Sequence, residues 1–162
     1  DQFIGAEGIP LHVASIIKIA AGRNLSPEDI REAYSFLIQS YKGYFAYYSE
    51  NNLVYLREHG IEPPADVTDM LYEICDIRDL IRYLPPTENA KAKIYEKLEK
   101  SERGIRYAEK AVAYMRLGIY PPDQIKDAVY ENVRRILNEE VQRYPRWRRF
   151  GELQKEFESL AG

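Results

Sequence analysis

The sequence predicts an all-α protein: a helical bundle of two αα-hairpins, with an apolar helical arm at its N-terminal end and a short C-terminal helix. Three observations predict it. Prolines and glycines cut the 162 residues into segments with helical periodicity. Gly-Ile-x-Pro-Pro occurs twice, at Gly60 and at Gly118, 58 residues apart. The first copy is followed by Val67, Asp69, Leu71, Tyr72 and Glu73, and the second by Ile125, Asp127, Val129, Tyr130 and Glu131 at the same offsets. Finally, Ile30, Tyr34, Leu37, Tyr41, Tyr44, Tyr48 and Tyr55 recur in alternating steps of four and three, with Asn51 filling the one missing place, the signature of a seven-residue helical repeat.

The elements run in order from the arm, residues 1–25. Phe3, Ile4, Ile9, Leu11, Val13 and Ile16 leave it apolar on nearly every side, so it needs cover from more than one direction. Its apolar stretch, residues 9–22, contains Lys18 and is shorter than the ~20 residues a membrane span requires, so no span is expected. The chain opens at Asp1, from which proteolytic maturation or trimming is expected. Residues 26–144 form the duplicated hairpin bundle. Ser26-Pro27-Glu28-Asp29 is a helix start, with a hydroxyl cap, Pro at the first helical position and acids in the first turn. From it one long helix is expected to reach Gly60. A shorter helix comes after Pro63-Pro64 and ends near Leu84. A second long helix is expected from Pro85-Pro86-Thr87-Glu88 to Gly118, its solvated face carrying the pairs Glu96 with Lys100, Glu99 with Arg103 and Glu102 with Arg106. Gly43 and Gly104 fall near the middles of the two long helices, as bends or as close crossings. A further helix opens at Pro121-Pro122-Asp123 and stops before Pro145. Residues 145–162 make a basic, aromatic linker and a short helix from Gly151 to Leu160. The repeated turn reads as an internal duplication, or as one good helix linker that arose twice.

Composition narrows the function. One cysteine excludes a disulfide framework and cysteine-based zinc or iron–sulfur sites. With two histidines besides, the inventory for general-base or nucleophilic chemistry is thin, so no enzyme, no catalytic residue, no metal and no cofactor are expected. Asp66, Asp69, Glu73, Asp76 and Asp79 succeed one another at steps of three or four, which places several carboxylates on one helix face, ion-paired with arginines such as Arg78 and Arg82 or available to a divalent cation. Cys75, between Ile74 and Ile77, reads as a buried small hydrophobe. The 14 tyrosines, with abundant Glu, Arg and Lys, give a balance like that of hyperthermophile proteins.

Two regions are candidates for contact with partners. Arg143, Arg146, Arg148 and Arg149 fall within ten residues that hold no acid, interleaved with Tyr144, Trp147 and Phe150 and preceded by Arg134 and Arg135. Arginine among aromatics suits a phosphate backbone. It equally suits the anchor of a protein interface, or a helix C-terminus whose dipole the guanidiniums complement. A net charge of −3 opposes strong nonspecific DNA binding by a lone monomer, though an assembly can turn one basic face inward. The second region is a subunit interface formed by Phe3, Ile4, Ile9, Leu11 and Ile16 of the arm, by Tyr44, Tyr47 and Tyr48 of the long helix, and by Trp147; the tyrosine stripe alternatively fills the core.

In its apolar arm, its helices joined by Pro turns, its tyrosine stripe from Tyr34 to Tyr55 and its arginines from Arg134 to Arg149, the chain resembles the all-helical coat proteins of filamentous viruses infecting hyperthermophilic archaea. That resemblance implies a non-enzymatic capsid subunit in a virion. Such a subunit associates with itself or with a paralogous subunit and packages double-stranded DNA in a helical filament. The net acidity departs from this pattern. The alternative from another class is a helical adaptor or small effector-complex subunit that binds a protein partner, expected in the cytoplasm.

Overall fold

The computed structural model describes residues 25–42, 53–54 and 56–162. Residues 1–24 of the arm and Gly43, Tyr44, Tyr47 and Tyr48 lie outside the described residues. Among the described residues the regular elements are all helices: α1 (Pro27–Lys42), α2 (Ala65–Ile74), α3 (Ile77–Leu80), α4 (Glu88–Ser101), α5 (Ile105–Arg116), α6 (Asp123–Arg143) and α7 (Arg148–Ala161). None is long and apolar enough to cross a membrane. The chain divides into two compact units, 1–87 and 88–162, so the division falls inside the 26–144 segment.

In the first unit α1 starts as its sequence dictates. The Ser26 hydroxyl accepts from the Asp29 N–H, and the Asp29 carboxylate accepts from the Ser26 N–H in return. α1 packs on α2. Arg31 holds Asp66 across that contact through two bonds of 2.6 and 3.2 Å. Of the seven-residue stripe, Tyr34 is fully buried and Ile30 half-buried. Residues 53–54 and 56–58 are helical and run into the first Gly-Ile-x-Pro-Pro turn, with Leu53 and Leu56 buried.

The second unit is built on α6. It packs against both α5 and α7, while α4 leans on α5. Its core holds Tyr95, Ala108, Val112, Met115, Ile119, Val133, Leu137 and Phe157, each at most 1% exposed. Phe157 meets the ring of Tyr130 edge-on at 5.4 Å.

The two repeated turns have the same local construction. Gly60 at φ 72° and Gly118 at φ 86° take the left-handed conformation that ends a helix. A side chain added at either would meet nothing within 4 Å, so backbone conformation and not crowding selects glycine there. The next residue's N–H reaches back five residues, Ile61 to the Leu56 carbonyl and Ile119 to the Tyr114 carbonyl, at 3.0 and 2.9 Å. Pro64 and Pro122 then cap the next helices with closely matching dihedrals, φ −60° and ψ 155° against φ −58° and ψ 154°. In each unit a buried tyrosine donates its hydroxyl to the isoleucine carbonyl of the turn, Tyr34 to Ile61 and Tyr95 to Ile119, each at 2.5 Å.

Several expectations need correction. The helix entering the second turn is broken into α4 and α5, because Gly104 adopts φ 59° and ψ −141° and its carbonyl starts α5. The break also redirects the surface pairs: Glu96 does bind Lys100 at 2.9 Å, but Glu102 binds Lys110 at 2.5 Å and not Arg106, and Glu99 has no ion pair among the described residues. The helix after Pro64 stops at Ile74 and restarts at Ile77, because the Asp76 side chain accepts the Arg78 N–H and caps the new helix. Cys75, expected to be buried, sits only half-buried in that break. Finally, the last helix begins at Arg148, three residues earlier than Gly151.

Candidate functional site

The carboxylate string is divided: Asp66, Asp69 and Glu73 follow one another at helical spacing on one face of α2, while Asp76 and Asp79 lie beyond its end, at the start of α3. Asp66 is held by Arg31, Asp69 accepts the Thr87 hydroxyl, and Asp76 turns away to cap α3 and bind Arg78. The bonds from Arg31 and Arg78 hold the carboxyls of Asp66 and Asp76 below the usual range. Among the described residues no three His, Cys, Asp or Glu side chains converge as a metal site would require.

The basic segment is the more informative. α6 ends at Arg143, the chain turns through Tyr144-Pro145-Arg146, and Trp147 precedes α7. Backbone bonds close the corner: the Tyr144 N–H donates to the Glu140 carbonyl and the Trp147 N–H to the Tyr144 carbonyl, at 2.9 and 3.1 Å. Phe150 is 6% exposed and belongs to the core. Trp147 stacks on it with ring centroids 5.8 Å apart and planes 11° apart, and Tyr144 leans on both rings. A buried phenylalanine thus presents two exposed aromatics, Trp147 at 59% and Tyr144 at 43%. Trp147 is the one predicted interface residue among the described residues. Phe3, Ile4, Ile9, Leu11, Ile16, Tyr44, Tyr47 and Tyr48 lie outside them.

Four of the six predicted arginines are engaged within the second unit. Arg134 grips Glu158 through two bonds of 2.7 and 3.2 Å and lies over the Tyr130 and Phe157 rings, so that it ties α6 to α7. The Glu158 carboxyl is held below its ordinary range by that bond. Arg135 binds Asn132 and Glu139, Arg143 binds Glu140 at 3.5 Å, and Arg149 binds Glu109 of α5. Arg146 and Arg148 are exposed and have no ion-pair partner among the described residues.

Position adds a second point. Arg143 complements the negative end of α6, as the dipole reading of the segment requires. Arg148 and Arg149 occupy the first turn of α7, which contains no acid. A cation there opposes the helix dipole by roughly 0.3–1 kcal/mol. Glu109 offsets this for Arg149, whereas for Arg148 nothing in the unit does. Only a helix start placed at Arg148 would have made this legible in the sequence.

The groove between α4 and α6 is a feature that the sequence pattern does not announce. Its volume is about 480 Å³, and Ala92, Tyr95, Ile125, Ala128 and Val129 floor it. Glu96 and Glu99 are its only charged lining residues. A continuous helix pattern gives no hint of the groove.

Taken together, the geometry is that of an all-helical protein with an exposed aromatic and basic corner, and no finer class is defined. No family model, no curated protein and no solved structure matches the chain.

Proposed function

We propose that this chain is a non-enzymatic structural subunit that works by association, and that its contact surface is the corner formed by Tyr144, Arg146, Trp147 and Arg148. The observation that carries the reading is Trp147, exposed at 59% and stacked on the buried Phe150, beside two unneutralised guanidiniums. Trp, Tyr and Arg are the side chains that dominate binding energy at protein interfaces. A large ring already stacked on Phe150 loses little side-chain freedom on binding. Trp147→Ala should weaken assembly in sedimentation by about tenfold or more, since truncating an anchor of this kind commonly costs about 2 kcal/mol. Unchanged assembly would overturn the proposal.

A second reading keeps the nucleoprotein coat, in which this surface meets double-stranded DNA. Its specific support is the pair Arg146 and Arg148, free to meet phosphates beside two stacking rings. Because four arginines are already engaged, replacing Arg146 and Arg148 by Gln should lower the salt slope of DNA binding by about two, and replacing Arg134 and Arg135 should leave it nearly unchanged. The absorbance ratio at 260 and 280 nm of the purified assembly separates the two readings directly.

A further inference from the structure

The second unit carries two surfaces whose chemistries match each other. At the C-terminal end of α6 stands a corner with two exposed rings and two unneutralised cations. Between α4 and α6 runs a groove with an apolar, tyrosine-bearing floor and two carboxylates at its rim. Glu99 has no ion-pair partner among the described residues, and Glu96 pairs with the exposed Lys100, with Lys93 as a more distant cation. At about 480 Å³ the groove lies in the range that accepts a drug-sized ligand, enough for an indole with part of a second ring.

The two surfaces cannot meet within one chain. The groove is lined by Ile125, Ala128, Val129 and Asn132 in the first half of α6, and the corner comes after Arg143 at its end. The 15 residues from Ala128 to Arg143 separate them by about 22 Å along the helix axis. The carboxylates nearer the corner, Glu139 and Glu140, are engaged by Arg135 and Arg143.

We propose that the aromatic corner of one copy docks into the groove between α4 and α6 of a second copy, with Trp147 on the apolar floor and Arg146 and Arg148 against Glu96 and Glu99. This rests on the reading of the corner as a protein contact and names its partner as a second copy of the chain. The contact is heterologous: each copy uses its corner on one neighbour and its groove on another. Assembly therefore continues into a filament unless the rotation between copies closes a ring.

Sedimentation of the full chain over a range of concentrations tests this, with two charge-reversed variants. R146E/R148E reverses the corner and E96K/E99K reverses the rim. All four positions are exposed, so the helical circular dichroism of each variant should match that of the parent chain. The parent should grow in mass with concentration. Each variant alone should lose about tenfold or more in association constant, because like charges now oppose each other across the contact. An equimolar mixture should recover growth, since the acidic corner of one variant fits the basic rim of the other and the unaltered corner fits the unaltered rim. A parent that stays monomeric overturns the self-docking proposal. So does a rim variant that assembles as the parent does, even where the corner variant fails; the corner then remains the contact surface and the groove is not its receptor. If neither variant differs from the parent, both readings fall.

Discussion

The two Gly-Ile-x-Pro-Pro turns are built alike, but the helices that leave them diverge. Up to Ile74 in the first unit, and the corresponding Asn132 in the second, each copy leaves a left-handed glycine, buries an isoleucine under a tyrosine hydroxyl, and enters a helix through two prolines. Two positions later the copies part. Asp76 caps a new short helix, whereas Arg134 in the same register continues α6 and reaches across to Glu158. The tyrosines in matching register diverge accordingly: Tyr72 donates its hydroxyl to the Leu84 carbonyl, while Tyr130 packs its ring on Phe157. One short acid in place of one long base goes with a change in which groups the helix can satisfy. A repeated turn thus preserves its own hydrogen bonds and leaves the later course of the chain to the residues beyond it.

Removing the partner that only the second unit has should separate the two copies most. Phe157→Ala deletes a ring that is fully buried and should cost about 3–5 kcal/mol. Urea unfolding reads the loss, and hydrogen exchange should show it in α5, α6 and α7 while α1 and α2 keep their protection. The tyrosine locks come next. Tyr34→Phe and Tyr95→Phe each strand a buried isoleucine carbonyl, at about 1–3 kcal/mol apiece. Equal losses would support the equivalence of the turns, and a loss in one copy alone would refute it. Burial also raises the pKa of both hydroxyls well above the ordinary tyrosine value, so neither ring should ionise in an alkaline ultraviolet titration until the fold opens.

Asp76→Ala should cost about 0.5–2 kcal/mol, the usual loss of a helix cap, measured as a drop in the urea midpoint. If stability does not change, the break between α2 and α3 is set by the Tyr72 bond to Leu84 and not by the cap. The smallest effect concerns α7. Hydrogen bonds from Arg134 and Arg116 depress the carboxyls of Glu158 and Glu156. A carboxyl with a lowered folded value stabilises the fold above its unfolded value, near ~4.3 for Glu, and loses that contribution as the pH falls through the lower folded value. Thermal melts between about pH 5 and pH 2 should therefore show α7 loosening first in acid. The effect is slight because both carboxylates are more than a third exposed and well screened.

Proline, glycine and apolar periodicity act on the backbone within a few residues, and for that reason the helical class, the positions of the two turns and the uninterrupted run of α6 were all legible in the sequence. So was the basic corner, as a candidate surface. Gly104 shows where that reach ends: a lone glycine in a helical pattern reads equally as a tolerated residue or a break, and only φ 59° decides for the break. The tyrosine locks were illegible for a related reason. Tyr34 precedes its isoleucine by 27 residues and Tyr95 by 24, so the 58-residue register does not align them, and only packing brings each hydroxyl to its carbonyl. The arginines are the clearest case. As sequence all six are equivalent cations, but Glu109 and Glu158 come from distant turns of the chain and neutralise Arg149 and Arg134, while Arg146 and Arg148 stay free because no carboxylate among the described residues reaches them. Which charges are neutralised inside the molecule and which remain for a partner is a property of distances through space, and tertiary structure alone sets those.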